Sequence, residues 1–251
     1  MNRAAAPLKI TVRGVIGSVL VAAVALTCIR LGFWQLDRLD RRRAANEALA
    51  ARRDAPPVTV SSTLSDTTGL RFRSATASGE WDGDRTIVLP GRSYRGVPGA
   101  HVLSPLRLTG GAGLLVNRGW VPSADAATVD TTILRIEGEA LLEGLIDAFP
   151  GREATLAQRA GEVEATGSFR RVWYAIDERR LREQFPYPLL DLTLQLLPST
   201  DAPDFPVRLA APPLDEGPHL GYAIQWFSFA AIALIGWTAL ILKSRGKERP
   251  S

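Results

Sequence analysis

The stretch Leu220–Leu242, LGYAIQWFSFAAIALIGWTALIL, decides the fold, because it contains no charged residue. A helix rises 1.5 Å per residue, so about 20 predominantly apolar residues span the hydrocarbon core of a bilayer, and this stretch is long enough. A second such stretch, Gly14–Leu36, GVIGSVLVAAVALTCIRLGFWQL, lies near the other end and is apolar except for Arg30 and Gln35. The chain of 251 residues is 46% apolar and 22% charged, near globular averages, but its apolar residues concentrate in these two stretches. Between them lie enough residues for one domain with its own core.

The expected fold is a membrane protein of the α+β class. Two antiparallel transmembrane helices, one N-terminal and one C-terminal, flank an antiparallel β-rich soluble domain. The expected divisions are a cytoplasmic tail (1–13), a transmembrane helix (14–36), a juxtamembrane helix (37–56), the β-rich domain (57–218), a second transmembrane helix (219–242) and a second tail (243–251). A cleavable signal peptide is the rival reading of the first segment, since Arg3, Lys9 and Arg13 precede the apolar run. The run continues into Leu31-Gly32-Phe33-Trp34 without a small-residue cleavage site, and Thr27 before Cys28 makes a poor lipoprotein box, so a retained helix is expected.

Charge bears on orientation from both sides. Both tails are short and basic, with Lys243, Arg245, Lys247 and Arg249 at the back, which the positive-inside rule places in the cytoplasm. Arg38, Arg41, Arg42, Arg43, Arg52 and Arg53 follow the first helix and argue the other way. The net charge of +4 makes no nucleic-acid case, because the basic residues flank the helices and read as charge at a bilayer surface. Cys28, the one cysteine, lies within the first membrane segment, so a disulfide, a Cys-x-x-Cys pair, a zinc cluster or covalent haem attachment within one chain is excluded. Met1 is the one methionine, which excludes copper carriage by sulfur ligands.

After the first membrane segment, Asp37–Arg53 is rich in helix formers until Ala55-Pro56-Pro57 stops it. Short β-like runs follow: Phe72–Trp81, Thr86–Leu89, His101–Leu108, Gly113–Val121, Ile133–Ile146, Phe169–Ile176, Leu190–Leu197 and Pro206–Leu209. Turn chemistry separates them at Asp82-Gly83-Asp84, Pro90-Gly91, Thr109-Gly110-Gly111 and Asp201-Ala202-Pro203. One helix is expected at Asp177–Phe185, before Pro186 and Pro188, and Ala154–Gly167 reads as a surface loop. The domain is therefore expected to be a barrel-like or sandwich β-structure.

Two histidines carry the chemical possibilities. His101 sits in the strand-like run Ala100-His101-Val102-Leu103 and reads as a packed imidazole, and no paired carboxylates, metal cluster or phosphate loop accompanies it. His219 stands at the membrane interface, immediately before the charge-free helix. By the i, i+3, i+4, i+7 rule it shares a face with Tyr222, Ala223 and Trp226. It is open to two readings, a metal-ligating imidazole or an interfacial histidine beside an aromatic belt. At the same depth on the first helix, Arg30, Trp34 and Arg38 fall at i, i+4, i+8, with Gln35 beside them. An Arg inside a hydrocarbon segment marks a functional site by default, though a snorkelling side chain covers much of the roughly 9 Å from Arg30 to Leu36. One imidazole, flat aromatics and two guanidiniums at one depth suit a haem and its propionates.

Three motifs in order carry a family resemblance: Leu31-Gly32-Phe33-Trp34-Gln35-Leu36-Asp37-Arg38, Leu115-Val116-Asn117-Arg118-Gly119-Trp120-Val121-Pro122, and His219-Leu220-Gly221-Tyr222-Ala223-Ile224-Gln225-Trp226-Phe227. With weaker echoes at Gly99–Pro105 and Ile136-Glu137-Gly138, the chain resembles the Surfeit-locus (Surf-one/Shy-one) assembly family of haem-copper oxidases over nearly its whole length. The resemblance implies a non-enzymatic biogenesis factor for cytochrome c oxidase in a bacterial inner membrane, with the domain periplasmic, or in the mitochondrial inner membrane of a eukaryote. It further implies transient, non-covalent binding of haem a, with His219 as axial ligand to its iron, and as partners the oxidase catalytic subunit, a haem a synthase and the lipid bilayer. Trp34, Gln35 and Arg38 are carried with His219 by the resemblance, Tyr222 and Trp226 join the haem surround by the helix face they share with His219, and Arg30 joins on the physical argument alone. The motif Asn117-Arg118-Gly119-Trp120 reads either as a contact with haem or an oxidase subunit, or as a packed strand. A scaffold that binds oxidase subunits without touching haem is the rival function. A membrane receptor would need a signalling module that the residues after Leu242 are too few to form, and a membrane-bound hydrolase would need a catalytic His101.

Overall fold

The structure is a computed structural model that describes residues 12–123, 129, 134–150, 169–174 and 176–247. The chain forms two compact units, one of Met1–Ala48 with Leu214–Ser251 and one of Leu49–Pro213. Among the described residues they contain three α-helices and seven strands.

The first unit is a pair of long helices. Helix α1 runs without a break over Val12–Asp54, 43 residues or about 65 Å, and α3 spans His219–Lys247. Both are long and apolar enough to cross a bilayer. On α1 the buried residues are Ala25, Cys28, Gly32, Gln35 and Leu39, a spacing of alternating three and four that makes one continuous seam. Small side chains let the helices approach closely. A Cβ on Gly32 would stand 2.6 Å from the Phe227 ring, and one on Gly17 would stand 2.2 Å from the Trp237 ring. Ala25, Cys28 and Ala230 bury one another in the middle of the pair, with Ile29 and Trp226 against them. A polar contact marks each end: Trp237 Nε1 donates to Ser18 Oγ at 3.0 Å, and His219 meets Gln35. These two contacts make the helices antiparallel. Val19, Leu20, Leu26, Ile232 and Ile235 stay exposed on the outside of the pair.

The second unit is a small barrel. Its strands are β1 (Val58–Val60), β2 (Ser74–Trp81), β3 (Ile87–Tyr94), β4 (Val97–Leu108), β5 (Gly113–Pro122), β6 (Glu139–Ala148) and β7 (Leu189–Leu196). They are ordered β1-β2-β6-β7-β5-β4-β3, and β2 also pairs with β4 through Gly79–Trp81 and Leu106–Leu108. Five strands therefore close a ring. Alternation along them points Ala75, Ala77, Leu106, Leu114, Val116, Ile146, Leu192 and Leu194 into one apolar interior. A second cluster outside the ring joins Ile87, Leu103 and Leu115 to Phe149, Trp173 and Phe185. Helix α2 (Glu178–Glu183) lies over it through Leu181, with Asp177 accepting from Arg180 N at its N-cap.

The expected membrane α+β class holds, and five details of the sheet differ, the first being that Pro90-Gly91, expected as a turn, is an irregularity inside β3. Two pairings are parallel, β1 with β2 and β5 with β7, where an antiparallel domain is expected. The long crossover from β5 to β7 permits this arrangement, as parallel pairing requires. Among the described residues, Phe169–Ile176 holds no strand; it contributes one bridge, Val88 to Val172, and spends Trp173 and Ile176 on the outer cluster. Pro206–Leu209 is likewise a single bridge, Val207 to Trp120. Strand β6 begins only at Glu139. The expected loop at Ala154–Gly167 lies outside the described residues.

Candidate functional site

The site is built where α3 starts. Pro218 cannot continue a strand ladder but its carbonyl opens the helix, accepting from Tyr222 N at 3.1 Å. This sets His219 on the first turn, with Ala223, Trp226 and Ala230 below it on the side that meets α1. His219 Nδ1 lies 2.9 Å from Gln35 Oε1. An amide oxygen only accepts, so Nδ1 carries a proton and donates it. In the neutral ring that leaves Nε2 with its lone pair, the arrangement by which metal-ligating histidines are oriented. Gly217 lies on that edge of the ring; a Cβ there would stand 3.7 Å from Nε2.

Helix α1 also fixes the approach to His219. Arg43 forks onto Glu216, Nε to Oε1 at 2.8 Å and Nη2 to Oε2 at 2.9 Å. Arg42 Nε and Asn46 Nδ2 both donate to the Asp215 carbonyl, at 3.0 and 2.8 Å, and the Asp215 carboxylate accepts from Gly217 N at 3.0 Å. The fork lowers the Glu216 carboxyl below its ordinary range and raises the Arg43 guanidinium, in both cases chiefly through their shared hydrogen bond. Both groups are exposed, so salt screens the pair.

The structure does not bring every expected site residue together. Trp226 is half-buried against the Ala25, Cys28 and Ala230 cluster, with Phe229 edge-on at 5.9 Å. Tyr222 is exposed on the flank of the same helix. Arg30, Trp34 and Arg38 do share a face, and the Arg38 guanidinium sits 5.6 Å from the Trp34 ring centroid. That face is exposed and lies off the buried seam that meets α3. Among the described residues no hydrogen bond, ion pair or ring contact joins Arg30, Trp34 or Arg38 to His219, which meets α1 at Gln35. Gln35, placed beside the stripe by sequence reasoning, is instead on the seam. The three-four spacing from Ala25 through Gly32 to Leu39 was the signal that could have found it. Gly217 and the Arg42, Arg43, Asn46 contacts had no sequence signal, since they join residues far apart in the chain.

In the barrel, His101 pairs with Leu89 and Trp120 across the ladder, and its ring forms no hydrogen bond among the described residues. Burial, with Arg92 adding to it, pushes its pKa down to about 4, so the ring is neutral. Arg118 is the extra residue of a β-bulge, which turns it toward Ser104 Oγ at 3.3 Å and the Leu134 carbonyl. Asn117 Oδ1 accepts from Gly119 N at 3.0 Å. Gly119 has φ +129° and its Cβ position lies 2.3 Å from the Val207 carbonyl, so no other residue fits. Trp120 packs on Tyr94 at 5.5 Å. The motif is a packed bulge in the β4–β5 ladder.

The profile of the SURF1 family matches residues 22–231, which includes both ends of the His219–Gln35 contact and more than half of the chain. The chain belongs to the SURF1 family. A SURF1-like protein of Monosiga brevicollis is 26% identical over 241 residues, covering 90% of this chain and 87% of the relative. A SURF1-like protein of Mycobacterium tuberculosis is 29% identical over 223 residues, covering 87% and 79%. Surfeit locus protein 1 of Takifugu rubripes is 22% identical over 236 residues, covering 88% and 95%. The SURF1 match thus extends across bacterial and eukaryotic relatives and over both structural units, and the family is one of oxidase assembly factors. This SURF1-family chain is accordingly a membrane protein.

Proposed function

We propose that this protein holds haem a at the membrane face and aids its insertion into the catalytic subunit of a cytochrome c oxidase, without performing bond chemistry of its own. The observation that carries the reading is the Nδ1–Gln35 hydrogen bond, which leaves Nε2 of His219 for the iron of the cargo. The residues fit that cargo in the donor they offer and in the absence of a side chain at Gly217. Tyr222 and Trp226 flank the imidazole on the same helix and supply aromatic surface. Arg30, Trp34 and Arg38 fall outside this site. Both long helices cross the bilayer, the tails face the cytoplasm and the barrel stands in the periplasm, or in the intermembrane space of a mitochondrion. The oxidase catalytic subunit receives the cargo, and a haem a synthase supplies it.

Replacing the native chain in oxidase-making cells by the His219→Ala variant tests the proposal against the scaffold reading. Carriage predicts that catalytic subunit accumulates with its haem a content reduced. Full haem a content with His219→Ala would leave the scaffold.

A further inference from the structure

His219 meets α1 at Gln35, and among the described residues nothing joins it to the arginine stripe. The contacts of His219 with Gln35 and of Trp237 with Ser18 mark the two ends of the packed pair. Arg30 lies five residues from Gln35 toward the middle, about 7.5 Å along the helix. It is exposed, and among the described residues it has no ion pair or hydrogen bond. The nearby acid, Asp37, is taken by Arg41. Exposed Leu26 flanks Arg30 on the outside of α1, where acyl chains would lie, and Phe33, also largely exposed, sets one ring edge against Phe227 of α3.

We propose that Arg30, Trp34 and Arg38 form a binding site for the phosphate of an anionic phospholipid, in the leaflet at the Asp37 end of α1. The inference rests on α1 crossing the bilayer and not on haem binding. A guanidinium this close to the hydrocarbon edge reaches outward along its aliphatic stem to the headgroup level, where phosphates lie. Trp34, 49% exposed, is the amphipathic ring that belongs at the same level. Arg38 stacks on it from one turn further out, and Arg30 branches from the helix one turn further in. Their planar forks match phosphate oxygens in pairs, which a single ammonium does not. A carboxylate on a partner's membrane helix is the competing occupant. The headgroup depth and the interfacial tryptophan favour lipid.

The test is native mass spectrometry of the full-length protein released from nanodiscs of equal phosphatidylglycerol and phosphatidylcholine. The wild type should retain phosphatidylglycerol preferentially. Arg30→Gln with Arg38→Gln should weaken that retention about tenfold or more, from the loss of charge-assisted bonds. Arg52→Gln, elsewhere on α1, should leave it unchanged, and helicity by circular dichroism should match in all three. Equal retention of the two lipids by the wild type, or unchanged retention by the double variant, overturns the proposal. So does an equal loss with Arg52→Gln, which would mean diffuse surface charge. Loss of a copurifying oxidase subunit with lipid retention intact would assign the stripe to a partner helix instead.

Discussion

Gln35 is polar, only 9% exposed, and set in a helix whose other seam residues are small or apolar. Burying an amide there is costly unless it is hydrogen-bonded, and His219 supplies the bond. The pair therefore does two things at once: it satisfies Gln35 and fixes which ring nitrogen of His219 keeps its lone pair. Partners that orient a metal ligand typically contribute 10–100-fold in affinity. Gln35→Leu should accordingly weaken haem a binding by about 10–100-fold in an optical titration while the axial-histidine spectrum persists. Unchanged affinity would show that the contact is packing alone. His101 shows the opposite case at the same scale. It is half-buried, neutral and without a side-chain hydrogen bond among the described residues, which suits a packed strand and offers no proton to a reaction.

At the scale of elements, the contacts between α1 and the segment before α3 form a positioning device for His219. Arg43, Glu216 and Asp215 hold the chain over the last residues before the helix. Arg43→Glu should loosen it, seen as faster amide exchange at Gly217 and His219, and Arg43→Glu with Glu216→Arg should restore slow exchange. Failure of the swap to rescue would remove the fork from that role. What the sequence made legible at this scale follows from which forces are local. Both membrane helices were readable because a long, nearly charge-free apolar run has few other meanings, and α2 because prolines follow it. Most strands were readable from alternation and turn residues. The closing of β2 onto β4, the parallel β5–β7 pair and the three-residue β1 were not, because strand partners are set by long-range packing. For the site, helical spacing grouped Arg30, Trp34 and Arg38 correctly with one another. It could not say which face of α1 meets α3, and that face decides that Gln35, not the arginines, meets His219.

For the whole molecule, the account requires that both helices cross the bilayer with the barrel on the outer side. Cys28 is buried in the helix pair, so it is a quiet background for single added cysteines. Ser65→Cys, in the barrel unit, should react with an impermeant maleimide added outside intact spheroplasts, and Ser244→Cys should react only after permeabilisation. The reverse pattern would invert the topology. The central claim is that His219 holds haem a, and an optical spectrum of the detergent-purified protein from cells that synthesise haem a tests it most directly. The account predicts haem a absorption in the wild type that is lost or shifted in His219→Ala. Wild-type protein that purifies with oxidase subunits but without haem, or a His219→Ala spectrum identical to wild type, would contradict it.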